Sequence, residues 1–197
     1  MSRCPRRRAH GMLGTVNPSV LLRSWFGCLL GGLPLLALLL TPPLMRSRAG
    51  GEGLLGIGVL LLAALLTGAF LLAPTMTSWF APARGSWAPP TAHRAARAVW
   101  REHTGPAVVA LLLGLGVYAL GQVAGYAVGI VLPPVLDDPT AGPGQSPWVI
   151  DYPAYAIQAA VVYLVTTGAI ALYGVRLRIL HLHHHAGART RPADRTR

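Results

Sequence analysis

The sequence predicts an all-α integral membrane protein, a bundle of four transmembrane helices joined by short loops. Three observations predict it. The 197 residues are 12% charged, against about 25% in an ordinary soluble domain. Four runs, 25–44, 54–74, 107–132 and 152–174, contain no Asp, Glu, Arg, Lys or His. The arginines, in turn, gather in alternate segments between those runs. The runs are 20, 21, 26 and 23 residues long, so at about 1.5 Å per residue each reaches or exceeds the roughly 30 Å hydrocarbon core of a bilayer. Only a self-satisfied helix can carry so many backbone amides through lipid.

The intervening pieces are all shorter than the roughly 40 residues below which a chain seldom folds alone. No independent soluble domain is expected, and function falls to the bundle, its loops or contacts with another chain. The first 24 residues form a basic cytoplasmic segment. The first span, 25–44, contains Gly31, Gly32 and Pro34. Proline removes a backbone donor and favours a kink there. A basic segment before an apolar stretch also describes a cleaved secretory signal. The run is long, Pro42 and Pro43 close it, and no small-x-small cleavage site precedes Arg46, so a retained span is the stronger reading. Trp25 and Phe26 before Cys28 argue against lipidation of that thiol. The second span ends at Pro74, with Trp79 and Phe80 following at the interface, where aromatic side chains gather.

Orientation follows from the arginines, since segments left in the cytoplasm carry the excess of basic residues. Five arginines lie before the first span, four between the second and third, and six after the fourth; the other two connections hold two and none. Both termini are therefore expected in the cytoplasm of a cell membrane. All 17 basic residues are Arg, and Ala, Gly, Leu and Pro abound. That usage suggests GC-rich coding and a bacterial source. The net charge of +11 is accounted for by this asymmetry, and no nucleic-acid partner is expected.

The second connection holds an amphipathic helix over 91–103. Thr91 is suited to cap it after Pro89 and Pro90, and Arg94, Arg97 and Arg101 share one face. Ala92, Ala95, Ala96, Val99 and Trp100 lie elsewhere around it. Such a helix suits the membrane interface, its arginines on anionic lipid headgroups. The third connection, with five prolines, is expected to be irregular, and Asp137 and Asp138 in it to be solvated.

The third and fourth spans carry the most information. Gly121, Gly125 and Gly129 place small residues on one face of the third, a pattern for close helix packing. The fourth span, the first, or a second copy of the chain are all candidate partners. Beside them runs a polar stripe, Tyr118, Gln122 and Tyr126, and the fourth span carries Tyr155, Gln158 and Thr166 at compatible spacings. Matching depths from the outer ends sets Tyr126 beside Gln158 and Tyr118 beside Thr166. The stronger reading is that these groups tie helices together; the sharper one is a polar ligand stripe. Ion relays generally use membrane Asp, Glu or His, and the four runs hold none.

The basic tail, 175–197, opens with a histidine cluster. If the last helix continues, His181, His184 and His185 share a face, an arrangement that can coordinate Zn²⁺, with His93 and His103 on the same side of the membrane. Arg176 and Arg178 close by disfavour a dication, so no cofactor is expected beyond a weak zinc possibility. Catalytic signatures are missing: no Cys-x-x-Cys, no Lys for a phosphate-binding loop, no Gly-x-Ser-x-Gly and no His-Glu-x-x-His. The expectation is a non-enzymatic structural or accessory component that acts by helix packing, its partners the bilayer and either a second copy or another membrane subunit. The alternative is a small transporter or metal-handling protein using the polar stripe or the histidines.

Overall fold

The computed structural model describes residues 17–83, 87–142 and 147–189, with side chains except at 47, 48, 50 and 184–189. Seven helices and one short ribbon make up the described residues: α1 (Pro18–Gly31), α2 (Leu33–Leu39), α3 (Pro42–Met45), α4 (Ser47–Phe80), α5 (Pro89–Glu102), α6 (Thr104–Val131), β1 (Val135–Asp137), β2 (Trp148–Ile150) and α7 (Tyr152–Arg189).

The first apolar run is not one kinked helix but two, bent by 59°. It starts earlier than the uncharged stretch, at Pro18, where the Asn17 side chain accepts the Ser19 amide at 3.1 Å. It breaks at Gly32 because Pro34 has no amide to give the Leu30 carbonyl and its ring crowds that oxygen. Pro42 and Pro43 end the run for the same reason and start α3, a single turn.

α4 continues past Pro74 to Phe80, six residues beyond the expected end. Hydroxyls bind carbonyls in that turn, Thr77 to Ala73 at 2.9 Å and Ser78 to Thr75 at 2.7 Å, and neighbouring groups of this kind let a membrane helix tolerate proline. At its other end α4 is kinked at Gly51, whose φ of 77° suits a residue without a Cβ. The third connection is also more ordered than five prolines suggest. Val135 pairs with Ile150 and Asp137 with Trp148 in an antiparallel ribbon. The prolines lie outside the paired residues, where they remove no ladder donor.

α7 is the hub of the bundle, touching α1, α2, α4, α5 and α6. Gly27 of α1 sits on the Met76 carbonyl and Phe80 ring of α4, and Trp87 lies beside His181 of α7. The start of α1, the end of α4, α5 and the end of α7 thus share one end of the bundle. Leu39, Arg46 and Gln158 meet at the other. Small residues such as Ala73, Ala107, Ala169 and Ala171 fill the interior. Leucines, valines and isoleucines cover the outside, among them Leu60 at 72% and Val131 at 76% exposed. An apolar exterior of that extent is consistent with a membrane protein. Three helices, Gly51–Phe80, Thr104–Val131 and Tyr152–His183, are long and apolar enough to cross a membrane, and the bent pair α1 and α2 makes a fourth if it is one span.

Candidate functional site

Of the polar groups predicted for the third and fourth spans, Gln158 lies in the seam between α6 and α7. The glycine stripe selects α7 as its partner. A Cβ on Gly121 would lie 2.8 Å from Val165 Cγ1, one on Gly125 would strike Val162 Cγ2, and one on Gly129 would lie 2.7 Å from the Gln158 amide nitrogen. The missing side chains are what let the two backbones approach.

Gln158 occupies the space that Gly129 leaves. Its amide nitrogen donates to the Gly125 carbonyl at 2.8 Å, and its oxygen accepts from the Arg46 guanidinium at 2.5 Å. One side chain therefore joins α6, α7 and the turn before α4. Arg46 sits in a small cavity of about 170 Å³ shared with Leu62, Gln122, Tyr155 and Gln158.

On its other side α7 holds the bent pair α1 and α2. The Tyr155 hydroxyl donates to the Leu39 carbonyl at 2.7 Å, and that of Tyr163 to the Leu29 carbonyl. In an unbroken helix Leu29 would accept from Leu33 and Leu39 from residue 43, a proline with no donor. The tyrosines thus serve the two carbonyls that the breaks leave over. One turn on, the Trp25 indole donates to Thr167 Oγ1 at 3.0 Å, and Thr167 donates in turn to the Tyr163 carbonyl at 2.9 Å. Tyr163 and Thr167 were not among the predicted site residues. The signal was present, for Tyr155, Tyr163 and Thr167 fall at i, i+8 and i+12 on one face.

The depth-matched pairs of tyrosine with Gln158 and Thr166 do not form. Tyr126 is 71% exposed and Gln122 is exposed, while Tyr118 is half-buried. The cause is angular. Gln122 and Tyr126 each follow a stripe glycine by one residue, about 100° around the helix, so turning the glycines to α7 leaves Tyr126 outward and Gln122 lining the cavity beside Tyr155 and Gln158. Thr166 is buried and its hydroxyl has no partner among the described residues.

α5 starts at Pro89, not at Thr91. Prolines suit the first turn because its amides have no helical partner. Thr91 acts from inside, its hydroxyl accepting the Ala88 amide at 3.2 Å. Ala92, Ala95, Ala96 and Val99 are buried against the bundle, so the apolar face meets protein, while Arg94, Arg97 and Arg101 point outward.

α7 does continue through the histidine cluster. His181 turns inward, 6% exposed, its ring 5.8 Å from that of Trp87. His183 is exposed, and the side chains of His184 and His185 lie outside the described residues. No three His, Cys, Asp or Glu side chains come together to hold a metal among the described residues.

No protein-family model, curated protein or solved structure matches this chain.

Proposed function

We propose that this chain is a four-span protein of a bacterial cell membrane, with α1 and α2 counted as one bent span and both termini cytoplasmic. We propose further that it is a non-enzymatic component that offers the outer face of α6 to a membrane helix of a second chain. Arginine asymmetry supports the orientation, as does the common end shared by the start of α1, α5 and the end of α7.

One observation carries the docking face. Gln122 is exposed on α6, where it lines the cavity shared with Arg46, Tyr155 and Gln158, and its amide makes no hydrogen bond among the described residues. Tyr126 is exposed one turn along. In hydrocarbon an amide without partners is costly, and a facing helix supplies them. The seam groups, by contrast, are spent on the chain's own backbone.

Purification in mild detergent followed by native mass measurement tests the reading. The wild type is expected to carry a second copy or a companion subunit, and Gln122→Leu to lose it while remaining folded. A wild type that is a lone chain overturns the docking face. Reporter fusions at Arg94 and after Gly174 on opposite sides of the membrane overturn the four-span scheme.

A further inference from the structure

A groove runs between α4, α5, α6 and α7 at the end of the bundle that holds α5. It consists of two cavities of about 400 and 480 Å³, each within the roughly 300–1,000 Å³ of ordinary ligand sites. They share Phe70, Leu71, Trp100 and Tyr173. The first reaches His93 and Arg97 on α5, and the second reaches Leu66, Leu111 and Leu115 between α4 and α6. One end is cationic and the other apolar.

We infer that this groove binds one anionic phospholipid, with its phosphate at Arg97 and one acyl chain between α4 and α6. Three observations support it. No Asp or Glu lines either cavity among the described residues, and Arg97 is held within 3.2 Å of His93 Nε2 at the mouth, so the charge favours an anion. Tyr173 is buried, and its hydroxyl accepts the Trp100 indole N–H at 3.0 Å, yet its own proton has no acceptor among the described residues. Buried tyrosine hydroxyls normally find one, and an ester carbonyl between headgroup and chain supplies it. The length also fits. From Thr104 to Leu115 α6 rises about 16 Å, close to half of the roughly 30 Å core, the depth of one leaflet.

This inference goes beyond the docking face on α6 and needs only that α4 and α6 cross the bilayer. The test uses the full chain in mild detergent with equal amounts of phosphatidylglycerol and phosphatidylcholine carrying identical acyl chains. Native mass measurement counts the lipid retained. The wild type is expected to keep one phosphatidylglycerol with about fivefold preference. Arg97→Gln keeps one lipid but loses the preference. Leu115→Trp fills the tail of the groove and loses both lipids. Arg94→Gln, on the same helix but outside the groove, behaves as wild type.

Equal retention of the two lipids by the wild type overturns the site. So does an Arg94→Gln loss equal to that of Arg97→Gln, which would reduce the effect to general surface charge. Displacement of the lipid by glycerol 3-phosphate would place the affinity in the headgroup alone and overturn the groove. A second measurement avoids filling the groove. Phosphatidylglycerol brominated on its acyl chain should quench tryptophan emission more in the wild type than in Trp100→Phe, and equal quenching also counts against the site.

Discussion

The hydroxyl of Tyr155 lies 2.7 Å from the carbonyl oxygen of Leu39, the oxygen that a continuing helix would have paired with the missing amide of Pro43. Tyr163 does the same for Leu29 at the other break. A bent pair of helices is thus made tolerable in an apolar setting by side chains from a long one.

Tyr155→Phe and Tyr163→Phe should each destabilise the bundle by about 1 kcal/mol, because each leaves a carbonyl unpaired away from water. Tyr152→Phe, at an exposed position, should be neutral. Denaturation midpoints of the purified proteins in mixed micelles would measure all three. Equal midpoints across the set would mean that water or backbone adjustment serves those carbonyls instead.

The glycine contacts predict a compensating pair. Gly125→Ala puts a methyl group onto Val162 and should cost about 1–3 kcal/mol by overpacking. Val162→Ala should recover much of that loss in the double variant, since the two side chains contend for one space. A double-mutant cycle reads the coupling directly, and strict additivity would mean the helices simply move apart.

Gln158→Leu should be worse than Arg46→Leu. The first takes the acceptor from the Arg46 guanidinium and the side-chain donor from the Gly125 carbonyl, whereas the second removes only one of the two bonds that Gln158 makes. A cost of about 1–3 kcal/mol is expected for stranding the guanidinium, seen as a lowered midpoint. If Arg46→Leu proves the more damaging, the guanidinium has a further role at that end of the bundle.

Asp138 gives a pH prediction in the third connection. The Thr140 hydroxyl and amide donate to its carboxylate at 2.6 and 2.9 Å and hold its pKa below the ordinary carboxylate value. A depressed folded pKa means the stabilising contribution is complete above the ordinary value and fades as pH falls through the lowered one. The turn after β1 should hold at neutral pH and loosen in acid. Thr140→Val should raise the Asp138 pKa, as followed by NMR titration of its carboxyl carbon, and an unchanged titration would discount the hydroxyl bond.

The histidine and loop regions show how far sequence reasoning reached. That α7 could run on through His181 was legible, because no Gly or Pro falls between Gly174 and His185. That His181 would turn inward beside Trp87 was not, since Trp87 lies far off in the chain. The arginine face of the connecting helix was legible from its period, while the fate of its alanine face was not. An amphipathic stripe states only that something apolar must cover it, and the bundle and the bilayer are equally apolar.

By itself the sequence determined the long apolar helices, a distortion at Pro34 and the expectation of close packing along Gly121, Gly125 and Gly129. These follow from helical hydrogen bonds, proline's missing donor and glycine's missing side chain, all confined to a few consecutive residues. Only the tertiary structure decided that α7 is the partner of that stripe, that Tyr126 is consequently turned outward, and that Tyr155 and Tyr163 serve the bent pair α1 and α2. Each of those depends on how one helix is rotated against another. A rotation of one residue, about 100°, exchanges a packed face for an exposed one without altering any local pattern.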